Sequence, residues 1–176
     1  MGKRSDFIRV ARDWYPTPIE AVIPLVDHLP NSFNYVEPCA GDARLINHIS
    51  KLTDGRCSYA SDIEPMSNRV VKQDALEVDV KDYKIDLCIT NPPWNRKFLH
   101  PFIEHFVEIC PTWLLFDADW MHTRQSAAYM PYCSKIVSVG RVKWIEDSKN
   151  TGKDNCCWYL FDKTATQTEF YGRKSK

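Results

Sequence analysis

Phe33-Asn34-Tyr35-Val36-Glu37-Pro38-Cys39-Ala40-Gly41-Asp42-Ala43-Arg44 is the stretch on which the fold turns. Residues 33–36 read as a short strand, since aromatic and β-branched side chains suit a pleated surface. The strand runs straight into a turn of small residues, and residues 45–52 then have helical spacing. Strand, small-residue turn and helix, in that order, make backbone amides at a helix start face a ligand. Gly41, with no Cβ, lets the backbone approach closely.

Forward of this unit, a second strand over 57–63 ends in Ser61-Asp62-Ile63-Glu64-Pro65, and a third over 69–73 ends at Asp74. A fourth, over 85–90, ends at Asn91-Pro92-Pro93-Trp94. Each polar group therefore stands at the carboxyl end of a strand, where open α/β sheets bind ligands. Asp62 follows Gly41 by about 20 positions, the distance at which an acid receives the ribose hydroxyls of a bound nucleoside. The same residue could instead cap the Glu64-Pro65 turn.

The fourth strand stops abruptly because two successive prolines withhold two backbone donors. The result is a rigid loop in which the Asn91 side-chain oxygen and the Pro92 carbonyl can point at one spot, with Trp94 offering a flat apolar face. That suits a planar group bearing an NH2. Such a nitrogen is a poor nucleophile, its lone pair being delocalised into the attached ring or carbonyl. Two acceptors gripping its hydrogens localise the lone pair as it attacks, which stabilises the transition state rather than the ground state. The alternative is a stiff surface turn.

Backward of the unit, residues 1–13 form an arm with little periodicity. Thr17-Pro18-Ile19-Glu20 reads as an N-cap, a proline at the first helical position and a glutamate closing a capping box. A helix to about residue 29 follows, with Ile19, Val22, Ile23 and Val26 on one face. Past the loop, Phe98, Phe102, Ile103, Phe106 and Ile109 mark an amphipathic helix, and 113–116 a fifth strand ending at Asp117-Ala118-Asp119-Trp120. Residues 123–132 read as a short helix, 136–144 and 156–161 as two last strands joined by a polar loop over 146–155. The polar tail from Thr164 is expected to be disordered. Connections after the second and third strands are too short for full helices, so the expectation is a trimmed α/β sheet in one domain over 1–176, with its tail at 164–176.

With 176 residues and a net charge of +0, no global field draws the chain to nucleic acid. Any polyanion site must be local: Lys3, Arg4, Arg9 and Arg12 in the arm; Arg96 and Lys97 after the loop; the Arg141, Lys143, Lys149 and Lys153 region; or Arg173-Lys174. Terminal clusters of this kind can equally be solvated. The seven cysteines form no CxxC and sit mostly in apolar runs, reading as small buried hydrophobes of a reducing compartment, with neither disulfides nor a metal site expected. No signal region or membrane span is visible, and the expected location is the cytoplasm.

With the first four strands read together, residues 14–161 resemble the class I S-adenosylmethionine-dependent methyltransferases, and within them the amino-methyltransferases of adenine or cytosine in DNA. Tyr15-Pro16-Thr17-Pro18 resembles the family's motif whose Thr-Pro lies over the methionine end of the cofactor, which implies roles for Tyr15, Thr17 and Pro18. Glu37-Pro38-Cys39-Ala40-Gly41 resembles the motif lining the methionine portion. Asp62 matches the ribose-binding acid, Ile63 the apolar neighbour on the cofactor adenine, and Asp74 the acceptor from that adenine's amine. Asn91, Pro92, Pro93 and Trp94 match the catalytic motif. Cofactor motif before catalytic motif is the gamma arrangement, in which adenine is the more common target. Small phage-encoded members look similar.

The resemblance implies a Rossmann-like, mostly parallel seven-stranded sheet with helices on both faces, S-adenosyl-L-methionine as cofactor, and methyl transfer to a flipped-out adenine in DNA. Arg96 and Lys97 would clamp flanking phosphates. Trp144 would sandwich the base, or else pack in the core, as Trp113, Trp158 and Tyr159 are expected to do. Two departures stand out: Ala43 occupies a position where the family usually has glycine, and the chain has no room for a target recognition domain. Selectivity then falls to the arm, to the 146–155 loop, or to a specificity partner or a second copy. The same loop also resembles that of enzymes methylating RNA bases or a protein glutamine amide. A non-catalytic nucleic-acid- or cofactor-binding subunit is the reading from a different class.

Overall fold

A computed structural model describes residues 15–145 and 151–174. The arm over 1–13 and residues 146–150 of the polar loop, Lys149 among them, lie outside the described residues. Helix α1 (Ile19–Val26) precedes β1 (Ser32–Glu37), and a turn leads into α2 (Arg44–Leu52) and β2 (Asp54–Asp62). Then come β3 (Val71–Lys72), a 3-10 turn at Ala75–Glu77, β4 (Leu87–Thr90), α3 (Arg96–Val107) and β5 (Thr112–Asp117). Three 3-10 turns at Ala118–His122, Arg124–Ala128 and Met130–Tyr132 lead to β6 (Cys133–Gly140), β7 (Cys156–Phe161) and β8 (Glu169–Tyr171).

The strands form one sheet in the order β3-β2-β1-β4-β5-β7-β6-β8. Neighbours pair in parallel except at β7, which runs antiparallel to both β5 and β6. Beyond β1 the chain crosses one way to β2 and later the other way to β4. A reversal of this kind is the place where open α/β sheets bind ligands, at the carboxyl ends of β1, β2 and β4.

Strand alternation sorts the apolar side chains to two faces. Leu87, Ile89, Trp113, Leu115 and Trp158 point to the face covered by α1 and α2, against Ala21, Val22, Leu25, Leu45 and Ile49. Leu114, Phe116, Tyr159 and Phe161 point to the other, against Leu99 and Ile103 of α3, where Cys88 also meets Phe102 and Phe106. Burying each such side chain contributes about 1.5–3 kcal/mol. Trp113, Trp158 and Tyr159 are fully buried, as a core reading requires. All seven cysteines are free and five are buried. Among the described residues no helix is long and apolar enough to cross a membrane, and no group of His, Cys, Asp or Glu side chains is placed to hold a metal.

Several expectations are corrected. The sheet has eight strands, because part of the tail expected to be disordered, Glu169–Tyr171, pairs in parallel with β6. Helix α1 ends at Val26 rather than near residue 29, the chain tightening there into three-residue turns in which His28 N–H donates to Leu25 O and Leu29 N–H to Val26 O. Its buried face is Ala21, Val22 and Leu25, and Ile23 is exposed. The capping box does not form: the N-cap residue is Pro18, without a side-chain cap. Residues 123–132 hold two 3-10 turns in place of a helix. Strand β6 stops at Gly140, where φ is 85°, so Trp144 lies beyond it in the loop.

Candidate active site

Three strand ends and the segment ahead of α1 build the site. At the first turn Gly41 has φ 49° and Ala43 φ 64°, both left-handed, with Ala43 the N-cap of α2. A side chain there costs about 1–2 kcal/mol, which explains the preference for glycine at such a position. The Ala43 methyl is fully buried with Ala40 and Val70. Asp62 closes the turn from the neighbouring strand. Its Oδ2 accepts from Gly41 N–H at 2.9 Å and its Oδ1 from Glu64 N–H at 2.8 Å. The hydrogen bonds show the capping reading of Asp62: it caps the Glu64 turn and also holds the Gly41 amide. Asp74 caps its own turn, accepting from Leu76 N–H at 3.0 Å, and remains exposed. Ile63 is 54% exposed, with Met66 and Leu76 also exposed on the segments after β2 and β3.

Beneath this rim the strand ends hold polar atoms in the interior. Glu37 is buried, and burial pushes its carboxyl well above the usual range, with the Asp62 and Asp42 charges adding to the effect. Glu37 Oε2, Ser61 Oγ and Thr90 Oγ1 are buried without hydrogen-bond partners among the described residues. Thr90 lies beside the Cys39 thiol, which is itself pushed up by burial and by Asp62 and Glu37. Pro38 is buried next to them.

The Asn91 side chain is engaged at both ends. Its Nδ2 donates to Thr17 Oγ1 at 3.2 Å and to the Tyr15 carbonyl at 3.4 Å. Its Oδ1 accepts from the Trp94 indole Nε1 at 3.1 Å. Pro92 is buried and Pro93 half-buried, so the two residues between Asn91 and Trp94 are both stiff and anchored. Trp94 packs partly against both faces' cores and meets Trp144 edge-on, with ring centroids 5.5 Å apart at 85°. Trp144 is thus beside the Asn91–Trp94 loop although it lies beyond the end of β6.

Asn95 caps α3, accepting from Lys97 N–H at 3.0 Å, so Arg96 and Lys97 open the helix next to the loop, both exposed. Arg96 donates to Gln125 at 3.0 Å, and Lys97 Nζ lies 5.8 Å from the Phe98 ring centroid. Asp117, at the end of β5, is half-buried; burial raises its carboxyl, the Asp119 amide lowers it, and the Asp119 and Asp154 charges raise it again.

The structure brings Tyr15, Thr17, Asn91, Trp94 and Trp144 into one connected group, and Gly41 and Asp62 into another. Pro18 follows Thr17 as the α1 cap residue. Ser61 and Thr90 were missed by sequence reasoning; Thr90 is a hydroxyl at the last position of the otherwise apolar β4, whereas Ser61 is the next-to-last residue of the mostly polar β2 and carries no such signal. A cavity of about 480 Å³ lined by Asn34, Arg56, Tyr83 and Lys84 involves none of these residues.

No protein-family model and no curated protein matches the chain. Solved structures do. A dimethyladenosine transferase from Plasmodium falciparum superposes with TM-score 0.55 at 15% identity, over 84% of this chain and 62% of that one. The fold is of the Rossmann-like, class I methyltransferase type. A 23S rRNA methyltransferase gives 0.54 at 12% identity over 83% and 68%. A type I restriction-modification methyltransferase subunit from Streptococcus thermophilus gives 0.53 at 9% identity over 90% and 47%. The chain therefore spans less than two thirds of the first and last of these proteins, and identities this low speak for fold alone.

Proposed function

We propose that the protein is a methyltransferase that moves the methyl group of S-adenosyl-L-methionine onto the exocyclic amine of a flipped-out adenine in DNA. The observation that carries this reading is the held Asn91 amide. Its NH2 end is taken up by Tyr15 and Thr17, and its oxygen keeps a lone pair beyond the Trp94 bond. That lone pair and the Pro92 carbonyl are the two acceptors for the amine hydrogens, and neither needs to be a strong base.

The residues present fit the cofactor. Glu37 Oε2 is a buried acid oxygen without a partner among the described residues, complementary to an ammonium group. Asp62 and Asp74 retain acceptor capacity beyond their backbone bonds, for ribose hydroxyls and an adenine amine. Exposed Ile63 offers apolar cover for that adenine. When bound, S-adenosyl-L-methionine supplies a sulfonium methyl; the target amine forms the new N–C bond, and the C–S pair stays with sulfur. The chain's own contribution is placement: Trp94 stacks on the target base, Trp144 backs Trp94 edge-on rather than facing the base across it, and Asn91 and Pro92 localise the nitrogen lone pair. The amine's surplus proton leaves to water. Arg96 and Lys97 meet flanking phosphates. Selectivity comes from the arm, the 146–155 loop, a partner subunit or a second copy, and the enzyme works in the cytoplasm, a host's if it is phage-encoded. An RNA adenine is the second reading, favoured by two neighbours being a dimethyladenosine transferase and a 23S rRNA methyltransferase.

The test is to incubate the protein with methyl-labelled S-adenosyl-L-methionine and unmethylated DNA, RNA or a cell-protein extract, then identify the labelled product. The expected result is N6-methyladenine in DNA, absent with Asn91→Ala although cofactor affinity stays within about 3-fold. Label in RNA or protein replaces the substrate. No label anywhere, with cofactor bound, overturns the catalytic reading.

A further inference from the structure

A side-chain amide has two ends of nearly equal size and opposite hydrogen-bonding character. Gripping an amine needs the oxygen end outward; the same side chain turned by 180° would set NH2 against NH2. Something in the protein must therefore choose. Of the three groups on Asn91, two admit a single polarity: the Tyr15 carbonyl only accepts and the Trp94 indole N–H only donates. The Thr17 hydroxyl takes the second Nδ2 hydrogen, which would otherwise be left unpaired in a half-buried place. The segment that carries these acceptors is itself held. Thr17 is 5% exposed, and the His48 ring of α2 reaches its backbone.

We propose that Trp94 and Thr17 are positioning residues that fix the polarity of the Asn91 amide, so that its oxygen faces the amine to be methylated. Trp94 thereby does something that a phenylalanine at the same place cannot, because its ring presents no donor to Asn91 Oδ1. The inference rests on the methyl-transfer reading for its consequence but not for its geometry. It couples two segments 74 positions apart, so displacement of residues 15–17 turns off the amide without touching it.

Three variants test it: Trp94→Phe, Thr17→Val and Thr17→Ser, each checked for an unaltered melting transition. Trp94→Phe and Thr17→Val are expected to lower kcat about 10- to 100-fold, less than the roughly 100- to 1000-fold of removing a group that itself touches the transition state. Cofactor Kd is expected to stay within about 3-fold, and Thr17→Ser to recover most of the rate lost in Thr17→Val. A second readout needs no turnover. In 15N-labelled protein the Asn91 side-chain NH2 pair, assigned by its loss in Asn91→Asp, should exchange slowly with solvent in the parent and in Thr17→Ser, and fast in the other two. Unchanged exchange in Trp94→Phe and Thr17→Val, or a Thr17→Ser variant as impaired as Thr17→Val, overturns the proposal. If the parent labels no substrate, the methyl-transfer reading fails separately, and the exchange measurement still decides the polarity lock.

Discussion

Asp62 Oδ2 accepts from the Gly41 amide at 2.9 Å, so the end of β2 holds the turn after β1 in shape. The other oxygen holds Glu64. Asp62→Ala leaves two backbone donors without their acceptor, at a cost of about 1–3 kcal/mol in unfolding free energy. Asp62→Asn keeps a carbonyl and should lose less. Cofactor affinity, by calorimetry, should fall in both, because ribose hydroxyls bond more strongly to a carboxylate than to an amide. An Asp62→Ala protein that melts early yet binds as before would place the ribose elsewhere.

Glu37 makes the fold sensitive to alkali. Its carboxyl ordinarily titrates at 4.5, and burial, with Asp62 and Asp42, raises it in the folded state. The folded chain then holds a proton that the unfolded chain releases above that value. This contribution to stability is complete below about pH 4.5 and is lost as pH rises through the folded value. Glu37→Gln, neutral at every pH, should therefore gain on the parent between pH 5 and 8, by up to about 1.4 kcal/mol per pH unit. At about 2–4 °C per kcal/mol for a chain of this size, melting curves resolve it. Parallel Tm–pH lines for the two proteins would show that Glu37 stays ionised.

Ala43 sits at φ 64° with a fully buried methyl. Ala43→Gly relieves about 1–2 kcal/mol of strain, but adds about 0.5–1 kcal/mol of backbone entropy and gives up about 0.8 kcal/mol of burial. These nearly cancel, so denaturant unfolding should show a change within about 1 kcal/mol. Ala43→Val adds a β-branched side chain to a left-handed backbone in a filled space, and should cost more than about 2 kcal/mol. Equal stability of the two variants would contradict the left-handed turn.

What the sequence made legible follows from range. The strand ends at Glu37, Asp62, Asp74 and Asn91 could be read because each is announced by its own neighbours, an apolar run followed by a polar or proline stop. Thr17 was misread for the opposite reason: locally Thr-Pro-x-Glu spells a helix cap, and the donor that claims its hydroxyl is 74 positions away. The eighth strand is three residues long, and its pairing with Lys135, Ile136 and Val137 leaves no periodic trace. Trp144 was placed in β6 because its approach is apolar, but Gly140 breaks the strand first.

The β8 pairing bears on how the protein comes into being. Tyr171 rests on the His28 ring at 4.3 Å, Lys174 pairs with Asp27, and the Trp158 indole donates to the Ala21 carbonyl at 2.7 Å. The Ala21 contact falls within α1 and the other two just past its end, and all three come from residues synthesised long after the helix. The brace on the helix that follows Tyr15 and Thr17 is thus completed last, and a chain clipped ahead of β7 would lose all three contacts.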